Sequence, residues 1–182
     1  MYGVLQRRCE QIGDHEQERL TLSFDTLFPR ERDTALGDLF GYWREKRLDR
    51  ADLPDESHFM SREMLPVSCR IHTAWVDADT ENPFDYVIRK HPSLLEWGDR
   101  TVRRVGELDS MMNAKSCAME YMTCIRSKKP MYHEITQTFG SDSRHYIRLL
   151  LPLFDGSNNV TRLFYAVRIF SSTVSESASS SS

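Results

Sequence analysis

The clearest periodicity of the chain lies between Ala118 and Ile125. There Ala118, Tyr121, Met122 and Ile125 recur at the i, i+3, i+4, i+7 spacing of one helix face. The pattern predicts a helix over Lys115–Lys128. Lys128 and Lys129, ahead of Pro130, put cations at its C-terminal end, where the helix dipole favours them. A second stripe, Leu36, Leu39, Phe40, Trp43 and Arg47, predicts a helix from Asp33 or Thr34 to about Leu48. Gly37 and Gly41 weaken it by about 1 kcal/mol each relative to Ala. Beyond Met131 the period changes to two. Met131–Phe139, His145–Phe154 and Val160–Phe170 read as strands, divided by turn signals at Gly140–Ser143 and Asp155–Asn159. In the last strand Leu163, Tyr165, Val167 and Ile169 share one face, while Arg162, Phe164, Ala166, Arg168 and Phe170 share the other. Upstream, Cys69–Val76 and Phe84–Lys90 read as a hairpin across the turn-rich Asp77–Pro83.

The remaining segments carry weaker patterns. Arg19–Phe24 alternates as a short strand or an extended arm. Residues 49–66 read as a connector, and 92–113 as short turns with a brief strand at 101–105. The chain therefore divides into an N-terminal extension (1–32), one folded domain (33–172, opening with the helix at 33–48) and a disordered Ser-rich tail (173–182). The expected class is α+β: a five-stranded antiparallel sheet with helices crossing one face, preceded by an N-terminal helix. Its last three strands form a meander of sequential neighbours, roofed by the segment around Tyr121.

Composition narrows the setting. Of 182 residues, 40% are hydrophobic, enough for a true core. The net charge of −3 argues against a nucleic-acid partner. The longest dense apolar run, Leu149–Phe154, falls far short of the ~20 residues of a membrane span. Met1–Gln11 has no apolar core of a secretory signal. The expectation is a soluble, cytoplasmic protein with no nucleic-acid or membrane partner. The cysteines at 9, 69, 117 and 124 have no CxxC spacing and read as reduced thiols.

Four stretches then carry a resemblance. LGDLFGYWR (36–44), ENPFDYVIRK (81–90), KKPMYHE (128–134) and YIRLLLPLFDGSNNVTRLFYAV (146–167) arrive in an order that resembles the PAS domain. They are similar to a bacterial subgroup in which one PAS domain makes up nearly the whole protein. The resemblance spans residues 33 to 172. It implies a PAS-like sheet and a sensory or ligand-binding module, either holding a small molecule between sheet and helices or serving as a dimerisation piece. It names no cofactor. Cys117 lacks the Asn-Cys-Arg-Phe run of flavin-adduct members, and the helix at 115–128 lacks the His of haem-binding ones.

No catalytic motif accompanies the resemblance. The six histidines are scattered without HxxxH or HExxH, so no metal site is predicted. Neither a Gly-rich phosphate loop nor a GxSxG elbow occurs. Asp77, Asp79 and Glu81 cluster in a solvated turn. His133 and Glu134 are adjacent on a strand, so they point to opposite faces. Tyr86, Trp97, Met119, Tyr121 and Met122 are the candidates for lining an apolar pocket with a few polar tips. Arg148 interrupts an apolar strand, and its guanidinium suits a carboxylate. If Ile147, Leu149 and Leu151 face the core, Arg148 faces outward.

Leu36, Phe40 and Trp43 are candidates for a homodimer interface, with packing on their own sheet as the alternative. The expected function is a non-catalytic sensory or small-ligand-binding module, acting in trans through a protein partner or as a homodimer. One alternative is a small α+β enzyme in which a His–Asp or Arg–carboxylate set does proton chemistry, with at least two ionisable groups, such as His91 or His133 with an aspartate, converging in one cavity. The other is a ligand-free interaction module. A cavity of ~300 Å³ or more between the sheet and helix 115–128 favours the first reading.

Overall fold

The computed structural model describes residues 3–26, 34–48, 54–59, 72–90, 102–108 and 110–173. The chain begins with a hairpin. Strand β1 (Val4–Ile12) pairs antiparallel with β2 (His15–Leu22) across the two-residue Gly13–Asp14 turn. Gly13 sits at φ 63°, a conformation that costs glycine nothing and lets a tight turn match the strand twist. Helix α1 (Thr34–Leu48) follows, then the single turn α2 (Glu56–Phe59). Strands β3 (His72–Asp77), β4 (Val87–Lys90) and β5 (Val102–Arg104) come next.

Helix α3 (Met111–Ser127) begins four residues before the predicted Lys115. The Ser110 side chain caps it, accepting a hydrogen bond from the Asn113 amide at 3.1 Å. Lys128, at φ 55°, closes its C-terminal end. The chain ends in β6 (Met131–Phe139), β7 (Asp142–Phe154) and β8 (Val160–Thr173). These last three strands form the expected antiparallel meander. Asp155 fixes its second turn by accepting from the amides of Ser157 (2.8 Å) and Asn159 (2.9 Å).

The sheet corrects the fold expected from sequence. Among the described residues it has eight strands in the order β1-β2-β6-β7-β8-β3-β4-β5, every pair antiparallel, and is not a five-stranded PAS-like sheet. The hairpin of residues 4–22, assigned to an extension, pairs with β6 along His15–Thr21 and so belongs to the body of the fold. β5 adds a further strand at the opposite edge.

Helices also cover both faces, not one. Neighbouring side chains on β8 show this. Phe164 stacks on Phe59 of α2 at 4.7 Å, while Tyr165 meets Tyr121 of α3 edge-on at 6.4 Å. The physical cause lies in β7, whose run from Ile147 to Phe154 is buried at every position. A strand buried on both sides loses its alternation. Pro152 is tolerated within it because pairing with β6 ends at Leu150. The carbonyl of Pro152 accepts from Trp43 Nε1 at 2.7 Å, which fixes α1 against the sheet.

Candidate functional site

α1 and α2 cover one face with apolar packing. Leu36, Leu39, Phe40, Trp43, Phe59, Trp75, Leu149, Leu151 and Phe164 are all buried there. The other face, beneath α3, is built from polar side chains. Period-two geometry aims Gln17 and Arg19 of β2, His133 and Gln137 of β6, and Arg148 of β7 at α3. All five are buried. α3 meets them with Ser116 and Glu120, one turn apart on its buried face.

Glu120 is the centre of the cluster. Its Oε1 is ion-paired with Arg19 and its Oε2 with Arg148. Ser116 Oγ donates to Glu120 Oε1 at 3.1 Å and accepts from Arg19 Nη1 (3.0 Å) and Gln17 Nε2 (2.9 Å). Gln137 Nε2 donates to Gln17 Oε1 at 2.8 Å and also to Asn113 Oδ1. His133 Nδ1 lies 3.4 Å from Arg148 Nη2 and 3.9 Å from Glu120 Oε2. Burial pushes the pKa of His133 down to about 4, so the ring is neutral near pH 7. A guanidinium only donates, so Nδ1 bears the lone pair and Nε2 the proton. Glu10 approaches Arg19 Nη2 only at 4.0 Å and is held by Arg8 Nε at 2.6 Å. Two buried guanidiniums thus share one buried carboxylate, which leaves the cluster with an excess of positive charge.

A cavity of about 290 Å³ opens beside this cluster. Tyr121 of α3, Tyr146 of β7 and Tyr165 of β8 supply its rings, and Ile88, Leu108, Val167 and Ile169 its aliphatic surface. Asn113, Cys117, Gln137, Arg144 and Arg148 supply polar atoms. Among the described residues, no carboxylate lies in this wall. Burial raises the pKa of Tyr121 and Tyr146 well above the usual phenol value and that of Tyr165 to about 12, so all three stay protonated near pH 7. A smaller recess of about 220 Å³ adjoins through Asn113 and Arg144 and includes His15 and Asp142. A larger groove of about 510 Å³, between α2 and the β7–β8 turn, is shallower. Its cation, Arg162, is already engaged by Asp77 at 2.6 Å and by Glu56. The deeper cavity under α3 is therefore the better site.

The sequence candidates divide accordingly. Tyr121 and Arg148 lie in the cavity wall. Ile147, Leu149 and Leu151 do face the α1 core, and Arg148 does face away from it, yet that direction is covered by α3 and Arg148 is only 2% exposed. Met119 is 49% exposed on the outer face of α3, which corrects its placement in a pocket. Tyr86 is buried and Met122 partly buried, but both pack into the core outside the cavity wall. Trp97 and His91 lie outside the described residues. Leu36, Phe40 and Trp43, the candidate interface, are buried in their own chain, stacked through Phe40 on Phe24 at 4.3 Å. Glu134 bonds His145 Nε2 at 2.9 Å on the face away from His133.

Glu120, Arg19, Gln17 and Gln137 are not among the sequence candidates. Their signal is faint: hydrophilic positions whose burial depends on partners 97 to 120 residues away. Among the described residues, no cluster of three or more His, Cys, Asp or Glu could hold a metal ion. Among them also, no helix is long and apolar enough to cross a membrane. No protein-family model matches the chain, and no curated protein shows significant similarity to it.

Proposed function

We propose that this protein is a non-catalytic, small-ligand-binding sensory module whose ligand occupies the cavity between α3 and the sheet. The observation that carries the reading is the cavity itself, about 290 Å³, walled by three tyrosine rings with a few polar tips. That volume is at the small end of the ~300–1,000 Å³ range of small-molecule sites, so the occupant is a compact molecule. The enzyme alternative has weaker support. His133 and Glu120 do approach each other, but neither lines the cavity, and guanidiniums engage both carboxylate oxygens. A general base must reach the proton it removes. The ligand-free alternative requires a filled interior. Occupancy acts on a partner protein or a second copy of the chain, with α3 as the element that the ligand touches.

Native mass spectrometry of protein purified from its own host tests the reading. The expected result is a retained small molecule, lost when Cys117→Phe fills the cavity. A clean apo mass, together with no thermal shift across a metabolite panel, overturns it.

A further inference from the structure

Arg148 presents five N–H donors, and three acceptors meet them among the described residues: Glu120 Oε2, His133 Nδ1 and Cys117 Sγ. The thiol contact, from Nη1 at 3.8 Å, is a weak one. Among the described residues Nε has no hydrogen-bond partner, and Glu120 Oε2 has none beyond its ion pair with Arg148, although Arg148 is 2% exposed. Buried donors of a charged group are costly to leave unmatched, so each such vacancy asks for an acceptor. Charge points the same way. Glu120 is divided between Arg19 and Arg148, and Arg144 adds a second cation to a wall in which no described residue is a carboxylate. Beside these cations the wall is aromatic and aliphatic: Val167 is paired with Arg148 across β7 and β8, Tyr165 lies two residues along β8, and Tyr121 meets Tyr165 from α3.

We infer that the ligand is a small organic carboxylate, its anionic group held by Arg148 and its apolar body against the rings of Tyr121 and Tyr165. This rests on the cavity being the ligand site, and it adds the chemical class. An anion there supplies a stronger acceptor for Nη1, which meets only the Cys117 thiol, and offsets the excess positive charge. A single ring or a short alkyl chain on the carboxylate suits the volume. A neutral molecule would leave both deficits in place.

The experiment titrates the full chain, by calorimetry and by NMR of ring-labelled tyrosine, with phenylacetate, indole-3-acetate and hexanoate. Each acid is compared with its own carboxamide, which keeps the shape and removes the charge. At least one acid is expected to bind and to shift tyrosine signals, with its amide weaker by about tenfold or more. Removing Arg148 alone would strip a partner from Glu120, so the variant is the double Arg148→Met/Glu120→Gln, checked for folding by circular dichroism. It is expected to bind acid and amide alike. Equal affinity of acid and amide for the unaltered protein, or an acid preference that survives in the double variant, overturns the carboxylate assignment and leaves the cavity as a ligand site. Absence of binding by all six compounds, with no tyrosine shift, counts against both.

Discussion

The two faces of the sheet are held by opposite physics. Under α1 and α2 the contacts are apolar and aromatic. Trp75 meets Phe164 edge-on at 4.8 Å and Arg47 lies over Phe154 at 4.7 Å, with the Trp43 to Pro152 hydrogen bond as a fixed point. Such packing is strong and weakly directional. Under α3 the central contacts are ion pairs and hydrogen bonds among Arg19, Arg148, Glu120, Ser116, Gln17 and Gln137. A buried ionic cluster adds little net stability over an apolar one, but it fixes direction. The division teaches that the α1 face secures the fold while the α3 face holds polar groups in set positions around an open volume. Under the proposed function, stability and recognition are separated across one sheet.

The largest expected effects come from one truncation on each face. Phe164→Ala is expected to cost about 3–5 kcal/mol, and adding Phe59→Ala to deepen the loss, because both remove volume from one stack. Glu120→Ala should cost a similar ~3–5 kcal/mol for a different reason: two guanidiniums are left buried without their carboxylate. Here further substitution should help. Adding Arg19→Met and Arg148→Met is expected to restore most of the stability, read from urea unfolding midpoints. If the triple variant is no more stable than Glu120→Ala, the loss was one of packing, and the contrast between the faces fails.

The next effect is the pH dependence that His133 gives the α3 face. His133 faces Arg148 and Glu120 and has its pKa lowered to about 4, against an ordinary value of 6.5. The unfolded chain therefore binds a proton that the folded chain refuses. This contribution to stability is full above pH 6.5, falls as pH drops through the window from 6.5 to about 4, and levels off below it. The difference of pKa corresponds to roughly 3 kcal/mol. Other carboxylates titrate nearby in pH, so the informative quantity is the difference between the unaltered protein and His133→Gln, measured by urea unfolding at pH 7.5, 5.5 and 4.5. The advantage of the unaltered protein is expected to shrink across that series. A difference independent of pH would mean that His133 is not held neutral.

The contrast also explains what the sequence could and could not tell. The stripe Leu36–Phe40–Trp43 and the meander from Met131 onward are local patterns, and both elements were placed with nearly correct bounds. Arg148 stood out because it broke an apolar run, and Tyr121 because it fell on the helix stripe. The polar layer was hidden. On β2, Gln17 and Arg19 alternate with Glu18 and Leu20, so hydrophilicity gave no contrast between the covered face and the wet one. Only partners such as Ser116 and Glu120, close in space and distant along the chain, reveal which is buried. The eighth-strand count was missed for a related reason. The turn at Gly13–Asp14 was legible in principle, but β1 is largely exposed and carries almost no apolar period.

Smaller effects sharpen the comparison. Trp43→Phe removes the bond to the Pro152 carbonyl and leaves most of the apolar contact. The expected cost is about 1–2 kcal/mol, seen in thermal unfolding, with ligand affinity unchanged. A parallel loss of affinity would mean that the two faces are coupled through β7.

The smallest predicted effect is also the most local. Ser110 is the N-cap of α3, and Asn113, whose amide it receives, also lies in the cavity wall. Ser110→Ala is expected to cost about 1 kcal/mol, because one amide at the helix start loses its acceptor. If the faces are independent, that loss should appear as fraying of the first turn of α3. Hydrogen exchange should then quicken at residues 111–115 and stay unchanged across α1 and β8. Fraying also displaces Asn113 from Gln137, so a ligand in the cavity should slow the exchange of that turn. Uniform acceleration over α1 and α3 would mean that the molecule opens as a single unit. In that case α3 could not report occupancy of the cavity by local movement, and a sensory role would have to act through the whole sheet.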